Sequence, residues 1–163
     1  MVATPATPIT ILEKALQQIH QIVDDALPGI DVERDRLEPY APRGGIAVSV
    51  QTGDAPANSQ EGQQSSSCRL TWNQGVLIQI YCPRDGMPQV DGEPRSMVPT
   101  SDPFVATIYS AVMGARNQRG LWKDITPQRI SRVVSDKAGE AIYTNMEFII
   151  EVMTAFSDLT TTQ

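Results

Sequence analysis

Glu147 and Glu151 are the first pair to weigh for general acid–base chemistry. They fall in "AIYTNMEFIIEVMTAF", whose alternation predicts a strand. Four residues along a strand span about 13 Å, wider than the spacing at which glycosidase carboxylates cooperate. The pair therefore reads as a solvated or intersubunit face. His20 is the sole histidine and precedes Asp24 by one helical turn, the spacing of a two-ligand metal patch. Both are expected on the polar side of an amphipathic helix, and no third ligand presents itself.

Other chemistry is equally thin. The sequence contains no GxSxG, Walker loop, HExxH or GxGxxG. Gly44-Gly45 leads into a strand pattern, not the helix N-terminus that lets glycine loops hold phosphate, so it reads as a turn. Trp72 keeps the apolar parity of its strand and is expected in the core, while Trp122, in a loop beside Leu121, is left open between core and ligand stacking. Cys68 and Cys82 are too few for a disulfide scaffold and read as reduced, buried thiols. The expectation is a non-enzyme without catalytic residues, metal or other cofactor.

The unusual stretch is "GIDVERDRLEPY", where the charge sign flips at every step from Glu33 through Arg34 and Asp35 to Arg36. In a strand Asp31, Glu33 and Asp35 would share one face, with Arg34 and Arg36 on the other. Such a ribbon is either an edge that discourages aggregation or a docking strip. The formal net charge of −6 disfavours nonspecific binding to nucleic acid. No stretch approaches the ~20 apolar residues of a membrane span, so an aqueous, cytosol-like setting is expected.

These residues must be positioned by few elements. The chain has 163 residues, 40% hydrophobic and 20% charged, the range of one globular domain. Its 12 prolines and 11 glycines gather in a few loops. Residues 1–8 read as a flexible lead, 9–157 as the domain and 158–163 as a tail. Thr10 with Glu13 matches a capping box, and Leu12, Ala15, Leu16, Ile19, Val23, Ala26 and Leu27 recur at helical spacing until Pro28-Gly29. The charged strand at 30–37 follows, then "GIAVSVQTG", with Ile46, Val48 and Val50 on one face. Residues 52–67 and 83–101 read as long loops.

In "CRLTWNQGVLIQIYC" the apolar parity runs unbroken through Gly75. One strand, bulged at Gly75, is favoured over a hairpin about Asn73-Gln74-Gly75. Ser101-Asp102-Pro103 predicts the start of a second helix that carries Phe104, Val105, Ile108, Tyr109, Val112 and Met113 and ends by Gly120. The rest reads as two strands joined at Asp136-Lys137-Ala138-Gly139, the last with Ile142, Thr144, Met146, Phe148, Ile150, Val152, Thr154 and Phe156 on its buried face. The implied architecture is α+β, a mostly antiparallel sheet of four or five strands with two helices on one face and long inter-strand loops. On its other face Leu77, Tyr81, Tyr143, Ile149, Glu151 and Met153 make a mixed apolar and charged surface with no third helix to cover it. With Glu33, Arg34, Asp35 and Arg36, these are the candidate interface residues of a self-assembling subunit.

That order of elements, through "IDVERDRLEP", "IAVSV", "RLTWNQGVLIQIYC", "SDPFVATIYSAVMGA" and "RISRVVSDKAGEAIYTNMEFIIEVMTAF", resembles the tail terminator family of tailed bacteriophages over about residues 9–156. The resemblance implies a closed ring, commonly a hexamer, that caps the tail tube, ends its polymerisation and joins the tail to the neck. The implied partners are further copies of the chain, the tail tube protein, the neck or head–tail connector proteins, and the sheath where the tail is contractile. DNA would only pass through the lumen, and no membrane is involved. The implied location is the tail–neck region of a virion assembled in the host cytoplasm. The alternatives are a head-closure or tail tube subunit and, from another class, a small ligand-binding or enzymatic α+β domain.

Overall fold

Helix α1, Ile11–Ala26, follows the apolar stripe of its sequence: Ala15, Leu16, Ile19 and Val23 are buried, as is Leu27 just beyond its end. Gly29, at φ 83°, takes the left-handed conformation that turns the chain back toward the sheet. The computed structural model describes residues 9–35, 45–53, 63–64, 69–83, 89–90, 93–94, 98–116, 122–134, 141–155 and 160–161.

The strands are β1 (Ile9–Thr10), β2 (Asp31–Arg34), β3 (Ala47–Gly53), β4 (Gln63–Gln64), β5 (Arg69–Pro83), β6 (Gln89–Val90), β7 (Glu93–Pro94), β8 (Asp124–Val134), β9 (Ala141–Ala155) and β10 (Thr160–Thr161). The second helix, α2, is Val98–Gly114. The main sheet runs β2-β3-β5-β9-β8, with β4 attached to β5. Among the described residues only β2 and β3 are parallel; every other pair is antiparallel. The fold is therefore α+β on a mostly antiparallel sheet, as the sequence predicts. β1 pairs with β10, past the expected domain end at residue 157, and β6 with β7.

β5 is one continuous strand of 15 residues, and all of them pair with β9 in unbroken register, Gly75 lying opposite Ile149. The hairpin alternative does not form, and Gly75 carries no bulge in this pairing. The irregularity lies in β8, between Pro127 and Arg129. Gly53 shows why a small residue is needed near Gly75: a Cβ there would stand 3.1 Å from the backbone of Val76 and Leu77.

Both helices cover the same face of the sheet. Val48 and Val50 of β3, Val76, Ile78 and Ile80 of β5, Ile125 of β8, and Met146, Phe148, Ile150 and Val152 of β9 form one core with α1 and with Ile108 and Val112 of α2. Phe104, Val105 and Met113 pack against it. Trp122, left open by its sequence position, is buried, and its indole Nε1 donates to the Ala115 carbonyl at 3.0 Å, satisfying an acceptor at the end of α2. Cys82 is buried and free, and desolvation pushes its thiol pKa up. Cys68, Phe156 and the 136–139 turn lie outside the described residues, as does the side chain of Trp72.

Two elements differ from expectation. The charged strand ends at Arg34, and Asp35 has φ 44°, so the predicted alternation breaks at Asp35; residues 36 and 37 lie outside the described residues. The cause is local: the Asp35 N–H donates to the Val50 carbonyl while its carboxylate accepts from the Thr52 N–H and from Arg34, which turns the chain out of the strand. Helix α2 begins at Val98 and not at Pro103, which sits inside it. At the sixth residue of α2 proline gives up the one i→i−4 bond its N–H would make, and Thr107 Oγ1 donates to the Pro103 carbonyl.

Thr144 occupies an apolar-parity position of β9; it is fully buried and its hydroxyl has no partner among the described residues. Two substitutions on this face should move stability in opposite directions. Phe148→Ala removes a core ring and is expected to cost about 3–5 kcal/mol in denaturant unfolding. Thr144→Val removes an unsatisfied hydroxyl at nearly constant shape and should be neutral or stabilising by about 1 kcal/mol.

Candidate assembly surface

Strand register converts the face opposite the helices into rows running across the sheet. The first row is Asp31, Ala47, Tyr81, Tyr143 and Val133; the second is Glu33, Ser49, Gln79, Asn145 and Ser131. The third is Gln51, Leu77, Glu147 and Arg129, the fourth Gly53, Gly75, Ile149 and Thr126, and the fifth Asn73, Glu151 and Asp124. The alternation of two places every one of these side chains away from the core.

The structure thus brings Leu77, Tyr81, Tyr143, Ile149 and Glu151 onto one face, as their parity predicts, and the register of β2 adds Glu33 to it. Met153 shares it by register with Thr71, its side chain lying outside the described residues, as does all of Arg36. The face is not uniformly bare. Ala47, Ser49 and Ala141 are buried, and Tyr81 is 3% exposed with its ring 5.4 Å from that of Tyr143. This corrects the reading of Tyr81 as an outward contact: its ring is enclosed within the subunit. Leu77, Tyr143, Ile149 and Glu151 are half-buried.

Polar pairs tie this face together. Gln79 Nε2 donates to Asn145 Oδ1 at 3.0 Å, Arg129 pairs with Glu147 at 2.6 Å, and Lys123 pairs with Glu151 at 3.1 Å. Glu147 and Glu151 therefore each face a cation of their own and not one another. Arg116 and Asp124 make a two-bond pair at 2.5 and 3.1 Å. The hydrogen bond from Arg116 holds the Asp124 carboxyl below the usual carboxylate range, helped by the Ile125 N–H and the charges of Arg116 and Lys123 and opposed by partial desolvation.

Arg34 stands on the helix side. Only 19% of its side chain is exposed; it reaches Glu13 of α1 at 2.8 Å and also pairs with Asp35. His20, expected on the solvated side of α1, is half-buried and its Nε2 donates to the Val32 carbonyl at 3.0 Å. Together they strap α1 to β2. Asp24 is exposed, and among the described residues no cluster of three or more His, Cys, Asp or Glu side chains could hold a metal.

The feature missed in the sequence lies at β8, the last strand of the sheet. Among the described residues the exposed large hydrophobics are Tyr109 (39%), Ile130 (47%) and Val133 (53%), all at this edge. The bulge at Gln128 opens a cleft of ≈ 240 Å³ lined by Tyr109, Pro127, Gln128, Arg129, Ile130, Glu147 and Phe148. A signal was available: in "RISRVV" each parity carries an arginine and an apolar residue, so neither face reads as buried.

No protein-family model matches this sequence, and no curated protein does. Among solved structures the chain is similar to one from the "Virion of native gene transfer agent (GTA) particle", at 16% identity and a TM-score of 0.56 over 88% of this chain and 95% of that one. The two share a fold. A second solved chain, at 13% identity over 86% of this chain and 93% of its own, has a TM-score of 0.43, and nothing further is drawn from it.

The Arg116–Asp124 pair sets a pH dependence. Because the folded-state pKa of Asp124 is lowered, its contribution to stability is present above the ordinary value of 3.8 and is lost as pH falls through the folded-state value. Asp124→Asn should therefore flatten the acid limb of the stability profile below the ordinary carboxylate value of 3.8, leaving the limb at higher pH parallel to wild type.

Proposed function

We propose that this chain is a structural, non-catalytic subunit of a phage-like virion, and that it acts as a tail terminator. In this reading copies of the chain close into a ring, of six if it follows the family pattern, that caps the tail tube, ends its polymerisation and presents a surface to the neck. The observation that carries the reading is the fold shared along nearly the whole of both chains with a virion chain. The order of sequence elements, read independently, supports the same class.

The surface chemistry is consistent with such a role. A sheet covered on one face by helices leaves a second face of ion pairs and half-buried apolar groups, and its β8 edge exposes Ile130 and Val133 beside Tyr109 of α2. These are the materials of a protein–protein contact: apolar area for affinity, charge pattern for register. A net charge of −6 suits a ring whose channel DNA must traverse without adhering.

Native mass spectrometry of the purified protein should give one closed oligomer whose size does not grow with concentration, and that oligomer should halt elongation when added to polymerising tail tubes. Open-ended polymers of the chain alone would point instead to a tube subunit. A monomer at every concentration that is indifferent to tube ends would overturn the proposal.

A further inference from the structure

The sequence ahead of β1 has a period of its own. Residues 3–8 read Ala-Thr-Pro twice, Ala3-Thr4-Pro5 and Ala6-Thr7-Pro8, and Val2 extends the same spacing by one more step. A period of three fits neither an α-helix nor a strand; it is the repeat of a polyproline II helix, which rises about 3.1 Å per residue. In that conformation Val2, Pro5 and Pro8 share one apolar face, and Thr4 and Thr7 share another. Residues 1–8 contain no charged side chain, and they precede the described residues, which start at Ile9.

The cleft between α2 and β8 has matching chemistry. Its ≈ 240 Å³ lies below the range of about 300–1,000 Å³ that small-molecule sites occupy, so it takes one or two side chains and not a cofactor. Tyr109, Phe148, Pro127 and Ile130 make it apolar and partly aromatic, and Tyr109 and Ile130 are among the most exposed large hydrophobics of the described residues. Its two charged groups, Arg129 and Glu147, are paired with each other. A neutral cleft with aromatic walls disfavours a charged segment and suits prolines, which pack on aromatic rings at little entropic cost because polyproline II is preformed. Of the segments outside the described residues, 1–8 alone repeats proline without a charge; 36–44 also repeats it, but carries Arg36, Glu38 and Arg43.

We infer that residues 2–8 of one copy of this chain dock in the α2–β8 cleft of a second copy, with Pro5 seated between Tyr109 and Ile130. A chain's own cleft is out of reach. Ile9 lies just ahead of α1, whose Glu13 holds Arg34 of β2, whereas the cleft opens on the β8 flank of α2, and α1 packs against α2 from the other side. From the axis of α1 to the far flank of α2 is about 15 Å, one interaxial spacing plus a helix radius. Pro8 stands about 4 Å from Ile9 and Pro5 at most about 14 Å, so neither proline can cross α2 and turn into the cleft behind it. Each copy therefore has one arm to donate and one cleft to fill, a head-to-tail contact. The inference rests on the reading of this chain as a self-assembling subunit.

Photocrosslinking tests the contact. Untagged, isotopically heavy protein with p-benzoylphenylalanine in place of Tyr109 is dissociated, reassembled with light wild type and irradiated, and the products are mapped by mass spectrometry. Crosslinks should join the heavy chain at that position to residues 2–8 of the light chain. Val2→Asp with Pro5→Asp places charge on the arm ahead of every described element, so circular dichroism should be unchanged while the concentration for half-assembly rises about tenfold. Ile130→Asp, at a half-exposed position, should weaken assembly by a similar factor, with Ile130→Ser in its place if that variant does not fold. Arm and cleft variants combined should weaken it little further, because both remove the same contact.

Crosslinks confined to the heavy chain itself, crosslinks only to other segments, or none in assembled protein would overturn the docking while leaving self-assembly intact. So would an arm variant that assembles as readily as wild type, or arm and cleft losses that add in full. A wild-type protein that is monomeric at every concentration would instead remove the self-assembling subunit, and the docking with it.

Discussion

The unbroken pairing of β5 with β9 is the constraint on which the rest depends. Fifteen consecutive residues are matched one to one, so the period of two in each strand cannot drift, and every side chain is committed to a face along the full length of the sheet. Slipping either strand by one residue would carry Ile78, Met146, Phe148 and Ile150 out of the core and put Gln79, Asn145 and Glu147 into it. The penalty would fall on apolar burial at about 1.5–3 kcal/mol per large side chain, together with unsatisfied amides and a desolvated carboxylate. No local preference at Gly75 or elsewhere competes with that. The rows of the opposite face, and the ion pairs that run along them, are consequences of this register.

Much of this was legible because parity is a robust signal where a strand is long and one face is fully apolar. The last strand reads correctly from Ile142 to Val152, and the strand through Gly75 reads as one for the same reason. Parity says nothing about where a strand stops. At β2 the ending is decided by bonds of Asp35 to the Val50 carbonyl and the Thr52 N–H, partners that become neighbours only after folding. The start of α2 was misplaced because proline at a first turn and proline one turn further in have the same sequence signature, and only the backbone tells them apart. Trp122 could not be assigned from a loop position, since its burial depends on α2 ending beside it.

The interface candidates divide along similar lines. Face membership was recoverable, because Leu77, Tyr143, Ile149 and Glu151 follow parity. Exposure was not, because it depends on what lies over each residue: Tyr81 shares the face and is nonetheless enclosed. Arg34 illustrates a different limit. Alternating charge suggested an outward ribbon, but β2 lies under α1, and a side chain on its helix side is drawn to Glu13. Arg34 thus serves to fix the helix on the sheet.

A sheet in register has two ends, and here they cannot be equivalent. One end is a short parallel strand under a helix rich in carboxylates; the other is a long antiparallel strand, interrupted by a bulge, that carries arginines and exposed aliphatics. Every cation at the β8 end is matched within the chain, Arg116 with Asp124, Lys123 with Glu151, Arg129 with Glu147 and Arg132 with Asp102, so that end presents apolar surface and not free positive charge. The asymmetry follows from the order β2-β3-β5-β9-β8: the strand held beneath α1 is short and charged, whereas β8 pairs its arginines with β9 and α2 and leaves Ile130 and Val133 exposed.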